Sequence, residues 1–153
     1  MSESIVYLLC GLPGSGKTTY AKELEKNGAI RLTLDEEVFH RYGRHFASGY
    51  AEKEADTKTY LEQRLEEHIK AGVSVVLDWG FWKRAERERI KELVQRAGAE
   101  PKLVYFKQPM DKLQSRIRGR DMATNHYIDD EMMKAFATQF EAPEGEGEVV
   151  MTV

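Results

Sequence analysis

Short apolar runs alternate with amphipathic segments along the chain. Five of the runs have the length of β-strands, at residues 5–10, 29–34, 73–78, 102–107 and 149–153. Between them, apolar residues recur every three or four positions, which is the period of a helix with one buried face. Helices are predicted at residues 16–26, 51–71, 83–97 and 129–140, with a short one after residue 35 and another that begins at Pro109. This alternation predicts a three-layer α/β fold, a parallel sheet with helices on both faces.

The predicted helices divide into a core-facing side and a solvent-facing side. In the segment 83–97, Ile90, Leu93 and Val94 are spaced to face the core, and the many charged residues are predicted to form a solvated face. In the segment 129–140, Met and Phe at helical spacing predict a core stripe rather than a binding surface. Residues 141–148 are rich in Pro, Gly and Glu and are expected to form a turn.

A glycine-rich stretch follows the first predicted strand. Residues 11–18 read Gly-Leu-Pro-Gly-Ser-Gly-Lys-Thr and fit the pattern G-x-x-x-x-G-K-[ST]. Average amino-acid usage produces the four fixed positions by chance at about one site in 30,000. A strand, a glycine-rich turn and a helix N-terminus in this order form a phosphate-binding P-loop. The stretch therefore predicts a P-loop rather than an incidental β-turn.

Each part of this stretch has a role in binding a polyphosphate. The glycines let backbone N–H groups approach phosphate oxygens closely. Lys17 is predicted to place its charge at the β- and γ-phosphates, and the Thr18 hydroxyl is predicted to ligate Mg²⁺. The residues predicted to bind the nucleotide here are Gly11, Pro13, Gly14, Ser15, Gly16, Lys17, Thr18 and Thr19.

Asp35 lies where the second predicted strand meets a helix. An aspartate at such a junction often caps the helix, and Thr33 with Glu36 would form an alternative capping box. In a P-loop protein, however, the carboxyl end of a strand next to the first one points into the ligand crevice. Because a carboxylate there can take the proton of an attacking hydroxyl, Asp35 is predicted to be a catalytic base. Capping and catalysis are compatible roles.

Asp78 ends the third predicted strand, which is the pattern of a Walker B element. Its carboxylate is predicted to hold Mg²⁺ near the Thr18 hydroxyl, and the alternative is a cap or turn residue. Trp79, Phe81 and Trp82 come next in the chain. These rings either pack the next helix against the sheet or stack on an acceptor, and the sequence leaves both interpretations open.

Three arginines, Arg116, Arg118 and Arg120, lie close together in the helix that follows the fourth strand. Arg116 and Arg120 are four positions apart and share a helical face, whereas Arg118 points away. Such side chains can close over a nucleotide and neutralise the charge that develops on a transferred phosphoryl group. Arg116 and Arg120 are therefore predicted to bind nucleotide and to act in catalysis, as part of a lid at about 116–128. Solubility is the alternative role.

The segment 43–50 has two glycines and no clear period. We expect it to form a mobile loop over the acceptor side of the site. His45 in this segment and His68 in the next helix lack a partnered motif. Both are expected to be solvated or structural.

Composition limits the class of protein. The 153 residues are 41% hydrophobic and 32% charged, which is typical of a soluble globular protein and predicts one domain at 1–153. The net charge of −3 argues against a surface for long nucleic acid, although it permits a local cationic site for a nucleotide. The single cysteine, Cys10, is expected to be buried in a reducing cytoplasm, with a reactive thiol as the alternative. No apolar run is long enough to span a membrane, so a cytoplasmic protein is expected.

Over nearly its whole length the chain resembles the small AAA-type P-loop kinases that are related to polynucleotide 5′-kinases, zeta toxins and chloramphenicol phosphotransferase. The resemblance is carried by the P-loop, by the segments 31–36, 77–82 and 140–143, and by Arg116 with Arg120. It implies a five-stranded parallel sheet in the order 2-3-1-4-5 and ATP as the donor. It also implies the base role for Asp35 and the lid role for Arg120 and Arg116.

The sequence thus predicts a kinase that uses ATP and Mg²⁺ to phosphorylate a hydroxyl of a small molecule or nucleotide. Two alternatives stay open: a nucleotide-binding or ATPase switch module without such an acceptor, and a nucleic-acid 5′-hydroxyl kinase. Polynucleotide kinases commonly carry an arginine just after the catalytic Asp, whereas the nearest cations after Asp35 are His40 and Arg41. This departure favours a small acceptor. The residues alone do not name the acceptor, the oligomeric state or the choice between ATP and GTP.

Overall fold

A computed structural model describes residues 4–42, 50–119 and 128–152, without the side chains of Asp35, Tyr50 and Ala51. The strands are β1 (Ile5–Cys10), β2 (Ile30–Thr33), β3 (Val75–Gly80), β4 (Glu100–Phe106) and β5 (Val149–Met151). The helices are α1 (Lys17–Lys26), α2 (Leu34–Tyr42), α3 (Tyr50–Lys70), α4 (Arg84–Arg96), α5 (Met110–Arg118) and α6 (Asp130–Gln139). Among the helices in these ranges, none combines the length and the apolar character that crossing a bilayer requires.

The five strands form one parallel sheet in the order β2-β3-β1-β4-β5. This confirms the predicted α/β class and the predicted strand order. The nearly continuous apolar runs of β1 and β3 suit central strands, because helices cover both faces of such a sheet. The P-loop leaves the carboxyl end of β1, between the ends of β3 and β4, where ligands bind in open α/β sheets.

Alternate residues of the strands pack into different helical layers. Leu8 of β1 joins a core cluster with Leu65 of α3 and Ile90 of α4, whereas Leu9 joins a second cluster with Ala21 of α1. All five are 0% exposed. Burying a side chain such as Leu stabilises the fold by roughly 1.5–3 kcal/mol. Successive side chains of a strand point to opposite faces, so a shift by one residue would exchange the residues that face the two helical layers. The apolar pattern therefore determines which residues face which layer.

Helices α5 and α6 pack against each other at the edge of the P-loop. Leu113 and Ile117 of α5 form a small cluster with Met133 of α6, and all three are buried. Leu12 of the P-loop packs against the same cluster. The cluster confirms the core stripe predicted in the segment 129–140. Through Leu12 it also holds the P-loop against α5.

The third strand continues past Asp78, contrary to the prediction that it ends there. Asp78 pairs in register with Thr33 of β2, and Gly80 is the last residue of β3. The extension is stabilised by the Trp79 indole, whose Nε1 donates to the carbonyl oxygen of Leu32 at 3.1 Å. The Trp79 side chain therefore links the end of β3 to β2, while Gly80 pairs with Cys10 of β1.

The prediction that the charges of α4 form a solvated face is wrong for Arg87, which is 0% exposed. Its Nε and Nη2 donate to the two carboxylate oxygens of Glu146 at 2.9 and 2.8 Å. The Glu146 side chain is 3% exposed. A charged side chain is almost never fully buried unless it is paired, and here the partner lies 59 positions away. The ion pair therefore holds the turn at residues 141–148 against α4.

Hydrogen bonding to Arg87 lowers the pKa of the Glu146 carboxyl below its ordinary value of 4.5. A carboxylate whose pKa is lower in the folded state stabilises the protein above its unfolded-state pKa, and the stabilisation is lost as the pH falls through the folded value. We therefore expect Glu146→Gln to unfold at a lower urea concentration than the wild type at neutral pH, with a difference that shrinks below about pH 4.5. Urea midpoints measured by circular dichroism from neutral to acidic pH check this, and a difference that is independent of pH contradicts it.

Candidate functional site

The P-loop makes a tight turn between β1 and α1. Gly14 and Gly16 have φ angles of +84° and +106°, a left-handed region that other residues rarely adopt. A Cβ on Gly14 would also lie 3.1 Å from the carbonyl oxygen of Leu113. Because Gly16 is the N-cap of α1, the N–H groups in the first turn of this helix face the loop. This arrangement is suited to an anion.

Lys17 folds back over the loop. Its Nζ donates to the carbonyl oxygen of Leu12 at 3.0 Å and lies 3.5 Å from the hydroxyl of Ser15, which is itself buried. An ammonium group has three donors and rotates freely, so it can exchange a loop acceptor for a phosphate oxygen. The positive charge therefore lies at the loop, where a bound phosphate would need it.

Thr18 and Asp78 meet beside the loop. The Thr18 hydroxyl donates to Oδ2 of Asp78 at 2.8 Å, although the two residues are 60 positions apart. Asp78 is 7% exposed. Mg²⁺ prefers oxygen ligands and takes only one or two from the protein when it also binds substrate phosphates. The two side chains predicted to ligate Mg²⁺ thus lie together, and their chemistry fits this ion.

Asp35 is the second residue of α2, which begins directly after β2. The helix begins at Leu34, so Asp35 lies in its first turn and not at the N-cap position that the alternative capping role requires. Two residues before it, Thr33 pairs in register with Asp78. The backbone therefore brings Asp35 to the edge of the sheet that carries Asp78, while its side chain lies outside the described part of the structure.

The two residues of the alternative capping box both bind Arg31. Its Nη1 donates to the Thr33 hydroxyl at 2.8 Å and to the carboxylate of Glu36. The Arg31 side chain is 15% exposed. These contacts give Thr33 and Glu36 a role in holding the carboxyl end of β2 against the first turn of α2.

Arg116, which is predicted to belong to a lid, lies against the P-loop. Its Nη1 donates to the carbonyl oxygen of Gly14 at 2.9 Å. Arg118 points away, as predicted, and forms an exposed ion pair with Asp130 at 2.8 Å. Arg120 and most of the predicted lid lie outside the described residues, as does nearly all of the predicted acceptor loop with His45.

A cleft of about 490 Å³ opens beside the P-loop. One part of it is lined by Arg116 and by residues of the P-loop and the start of α1, which are Gly14, Gly16, Lys17, Thr18 and Thr19. Its other lining residues are Tyr20 and Glu23 of α1, Phe106 at the end of β4 and Met151 at the end of β5. The cleft thus joins a phosphate-binding loop to a largely apolar wall, which is the combination that a nucleotide requires.

The apolar wall is absent from the residues predicted from sequence. Tyr20 packs edge-on against Phe106, with ring centroids 5.4 Å apart. Phe106 and Met151 are the last residues of their strands. The rule applied to Asp35, that the carboxyl ends of parallel strands point into the ligand crevice, also applies to these two positions.

The aromatic residues after Asp78 pack within the protein. Trp79 and Phe81 stack with ring centroids 5.5 Å apart, and Phe81 is 1% exposed. Trp82 packs on Phe136 of α6 at 5.0 Å, and its Nε1 donates to the carbonyl oxygen of Gly11 at 3.3 Å. These contacts support the packing interpretation of the aromatic run.

Cys10, the last residue of β1, is buried, as predicted. Burial raises the pKa of its thiol to about 12, although the charges of Arg87 and Lys17 act in the opposite direction. Since the thiolate is the reactive form, we expect Cys10 not to react with an aromatic disulfide reagent at about pH 8. One thiol per chain should react after urea is added. Rapid reaction of the folded protein would contradict the expectation that the Cys10 thiol is buried and unreactive.

A family model described as an AAA domain matches residues 6–143. None of the curated proteins is significantly similar in sequence. Among solved structures, a chain of the Pnkp1/Rnl/Hen1 RNA repair complex has a TM-score of 0.77 at 19% identity, over 91% of this chain and 44% of that one. A gluconokinase from Sinorhizobium meliloti 1021 has a TM-score of 0.66 at 20% identity, over 99% and 83% of the two chains. Kti12 from Chaetomium thermophilum, in complex with ADP-AlF3, has a TM-score of 0.67 at 15% identity, over 96% and 88%.

The family match contains the P-loop, Asp78 and Arg116, and leaves out only the two ends of the sequence. The structural similarities, at these low identities, show a shared fold. The sheet order and the position of the P-loop agree with the expectation from the sequence resemblance. The chain therefore belongs to the AAA domain family and has the fold of the small P-loop kinases.

Proposed function

We propose that the protein is a kinase that transfers the γ-phosphoryl group of ATP to a hydroxyl of a small molecule or nucleotide. The observation that carries this proposal is the 2.8 Å hydrogen bond between Asp78 and Thr18, the P-loop residue that directly follows Lys17. It joins two oxygen ligands for a divalent cation to a phosphate-binding loop. The cleft beside the loop, the family membership and the fold shared with a gluconokinase also support a nucleotide-dependent phosphotransferase.

In the proposed reaction, the acceptor hydroxyl oxygen forms a bond to the γ-phosphorus. The bond from this phosphorus to the oxygen that bridges it to the β-phosphate breaks, and ADP leaves. The hydroxyl proton passes to the carboxylate of Asp35. Lys17 and the loop N–H groups hold the phosphates, and Arg116 offsets the charge that develops on the transferred group. Bound Mg²⁺, with Thr18 and Asp78 as ligands, would supply charge neutralisation at the β- and γ-phosphates.

A screen with radiolabelled ATP tests the proposal. It would cover nucleosides, oligonucleotide 5′ ends, aminoglycosides, phenicols, sugars and sugar acids, each with and without Mg²⁺. Transfer of label to one hydroxyl class, at least about a hundredfold slower in Lys17→Ala, is the expected result. Tight nucleotide binding without transfer to any acceptor would favour a switch module instead. Repeating the productive assay with GTP tests the choice of donor.

A nucleic-acid 5′-hydroxyl kinase is the second candidate, and the fold shared with a chain of an RNA repair complex favours it. A nucleic-acid acceptor would bind mainly through its phosphates, so its affinity would fall steeply with salt concentration. A small neutral acceptor would bind almost independently of salt. Measuring the acceptor KM at low and high salt therefore separates the two candidates, and the net charge of −3 favours the small acceptor.

A further inference from the structure

Arg87 binds the chain at a strained position, in addition to its pairing with Glu146. Its Nη1 donates to the carbonyl oxygen of Phe81 at 2.8 Å. Within the described ranges, Phe81 is the one residue other than glycine with a positive φ, at +48°. Such a conformation persists only where the surrounding structure enforces it. The guanidinium and the buried Phe81 ring hold this residue from two sides.

The turn that contains Phe81 is attached to the first glycine of the P-loop. The N–H of Gly11 donates to the carbonyl oxygen of Gly80 at 3.0 Å. The carbonyl oxygen of Gly11 accepts from the Trp82 indole at 3.3 Å. The two residues that flank Phe81 therefore hold both backbone polar groups of Gly11. Cys10 adds a contact from its thiol to the Phe81 carbonyl oxygen at 3.2 Å.

The guanidinium is itself fixed from the opposite side. Glu146 binds it through both carboxylate oxygens, and Lys91 donates to the Glu146 carbonyl oxygen at 2.7 Å. A planar guanidinium can bind a carboxylate with two N–H groups and a carbonyl with a third, which an ammonium cannot do with the same geometry. A continuous series of contacts thus links Glu146 to Gly11 through Arg87 and the turn that contains Phe81.

We propose that Arg87, fixed by Glu146, is a positioning residue for the nucleotide site. It holds the turn after β3 in the conformation that anchors Gly11, and the position of Gly11 sets where the loop N–H groups meet the phosphates. Arg87 acts through this turn and does not touch the nucleotide. The inference rests on the nucleotide-binding part of the proposed function and is independent of the acceptor.

The test compares nucleotide affinity in three variants at Arg87 and Glu146 with that of a matched control. A fluorescent ADP analogue is titrated against Arg87→Met, Arg87→Lys and Glu146→Gln at a temperature where circular dichroism shows each variant folded. Arg89→Met is the control, because Arg89 is on the same helix and also binds a carboxylate through two N–H groups. Its partner is Glu62, at 2.6 and 3.1 Å, and its own side chain is 51% exposed.

Arg87→Met is expected to weaken nucleotide affinity by about tenfold to a hundredfold, since misplaced loop N–H groups would lose a hydrogen bond to a charged phosphate, an effect of about that size. Arg87→Lys and Glu146→Gln should give smaller losses, and Arg89→Met none. A purely structural role would lower the unfolding midpoint and leave affinity in the folded protein unchanged. That result overturns the proposal.

Trp82 gives a second measurement that does not depend on nucleotide. The chain has two tryptophans, so in a Trp79→Phe background the emission reports only Trp82 and its hydrogen bond to Gly11. Adding Arg87→Lys to this background should shift the emission maximum, and adding Arg89→Met should not. An unchanged emission overturns the link to Gly11 even where Arg87→Met fails to fold. A wild-type protein that binds no nucleotide would count against the proposed function. The emission test would then still show whether Arg87 holds the contact between Trp82 and Gly11.

Discussion

Alanine at Lys17 is expected to lower the rate of phosphoryl transfer by about 10²- to 10³-fold, the effect of removing one preorganised charge-stabilising donor. The ammonium already lies at the loop, 3.0 Å from the carbonyl oxygen of Leu12, so a bound phosphate meets it without a rearrangement of α1. Its contribution should grow as charge develops on the transferred group. We therefore expect a larger fold-loss in kcat/KM than in nucleotide affinity. Both quantities should be measured on the same preparation.

Lys22→Ala is the matched control for Lys17→Ala. Lys22 lies on the same helix, is exposed and does not line the cleft. Its replacement removes an equal charge and should leave the transfer rate within about twofold, since exposed charges contribute little. Equal losses in the two variants would mean that net charge rather than the position of Lys17 matters, and the role assigned to Lys17 would be wrong.

Asparagine at Asp35 is expected to lower kcat by about 10²- to 10⁴-fold with little change in nucleotide affinity, because the amide keeps the shape of the side chain but takes up no proton. The pH profile supplies a second criterion. A general base gives the wild type a rate that rises with pH through the pKa of the base, and this limb should be absent in Asp35→Asn. Rates of ADP formation with the acceptor found in the screen measure both effects.

Glu37→Gln supplies the comparison for Asp35→Asn, because Glu37 is another carboxylate in the first turns of α2 and has no assigned role. Its transfer rate should match that of the wild type. If Asp35→Asn kept full phosphotransfer while Lys17→Ala lowered it strongly, the base would have to be sought elsewhere, although the loop assignment would stand.

The sheet and the phosphate-binding part of the site were predictable because their signals are local. Apolar runs of strand length show which segments form strands, and the motif at residues 11–18 fixes the end of β1. Parallel strands bring their carboxyl ends to one edge. Together with the motif, which places Thr18 beside the end of β1, that rule predicts that Thr18 and Asp78 lie close together, and their side-chain oxygens are 2.8 Å apart.

The pairing of Arg87 with Glu146 could not be read from the sequence. A charge on a helix with many other charges is normally solvated, and a segment rich in Pro, Gly and Glu is normally an exposed turn. Each residue therefore has a local context that argues for exposure. The pair forms because the turn at residues 141–148 lies over α4, a contact between segments 59 positions apart that no short-range pattern encodes.

The apolar wall of the cleft is an intermediate case. Strand ends are predictable, so Phe106 and Met151 could have been proposed as neighbours of the site. Which end residue faces α1 depends on the exact register: Phe106 joins the cluster on the α1 side, whereas Tyr105 packs on the opposite side. An error of one residue in the strand boundary reverses that choice, so the sequence alone does not assign the wall.

The buried thiol of Cys10, at the end of β1, makes the chain convenient for site-specific labelling. Cys10 is the only cysteine and is buried, so it need not be removed before a new thiol is introduced. Arg96→Cys would place such a thiol at the exposed end of α4, away from the cleft. A dye attached there would be the sole acceptor for energy transfer from a fluorescent nucleotide, and the transfer efficiency would report the distance between the bound nucleotide and the far side of the sheet.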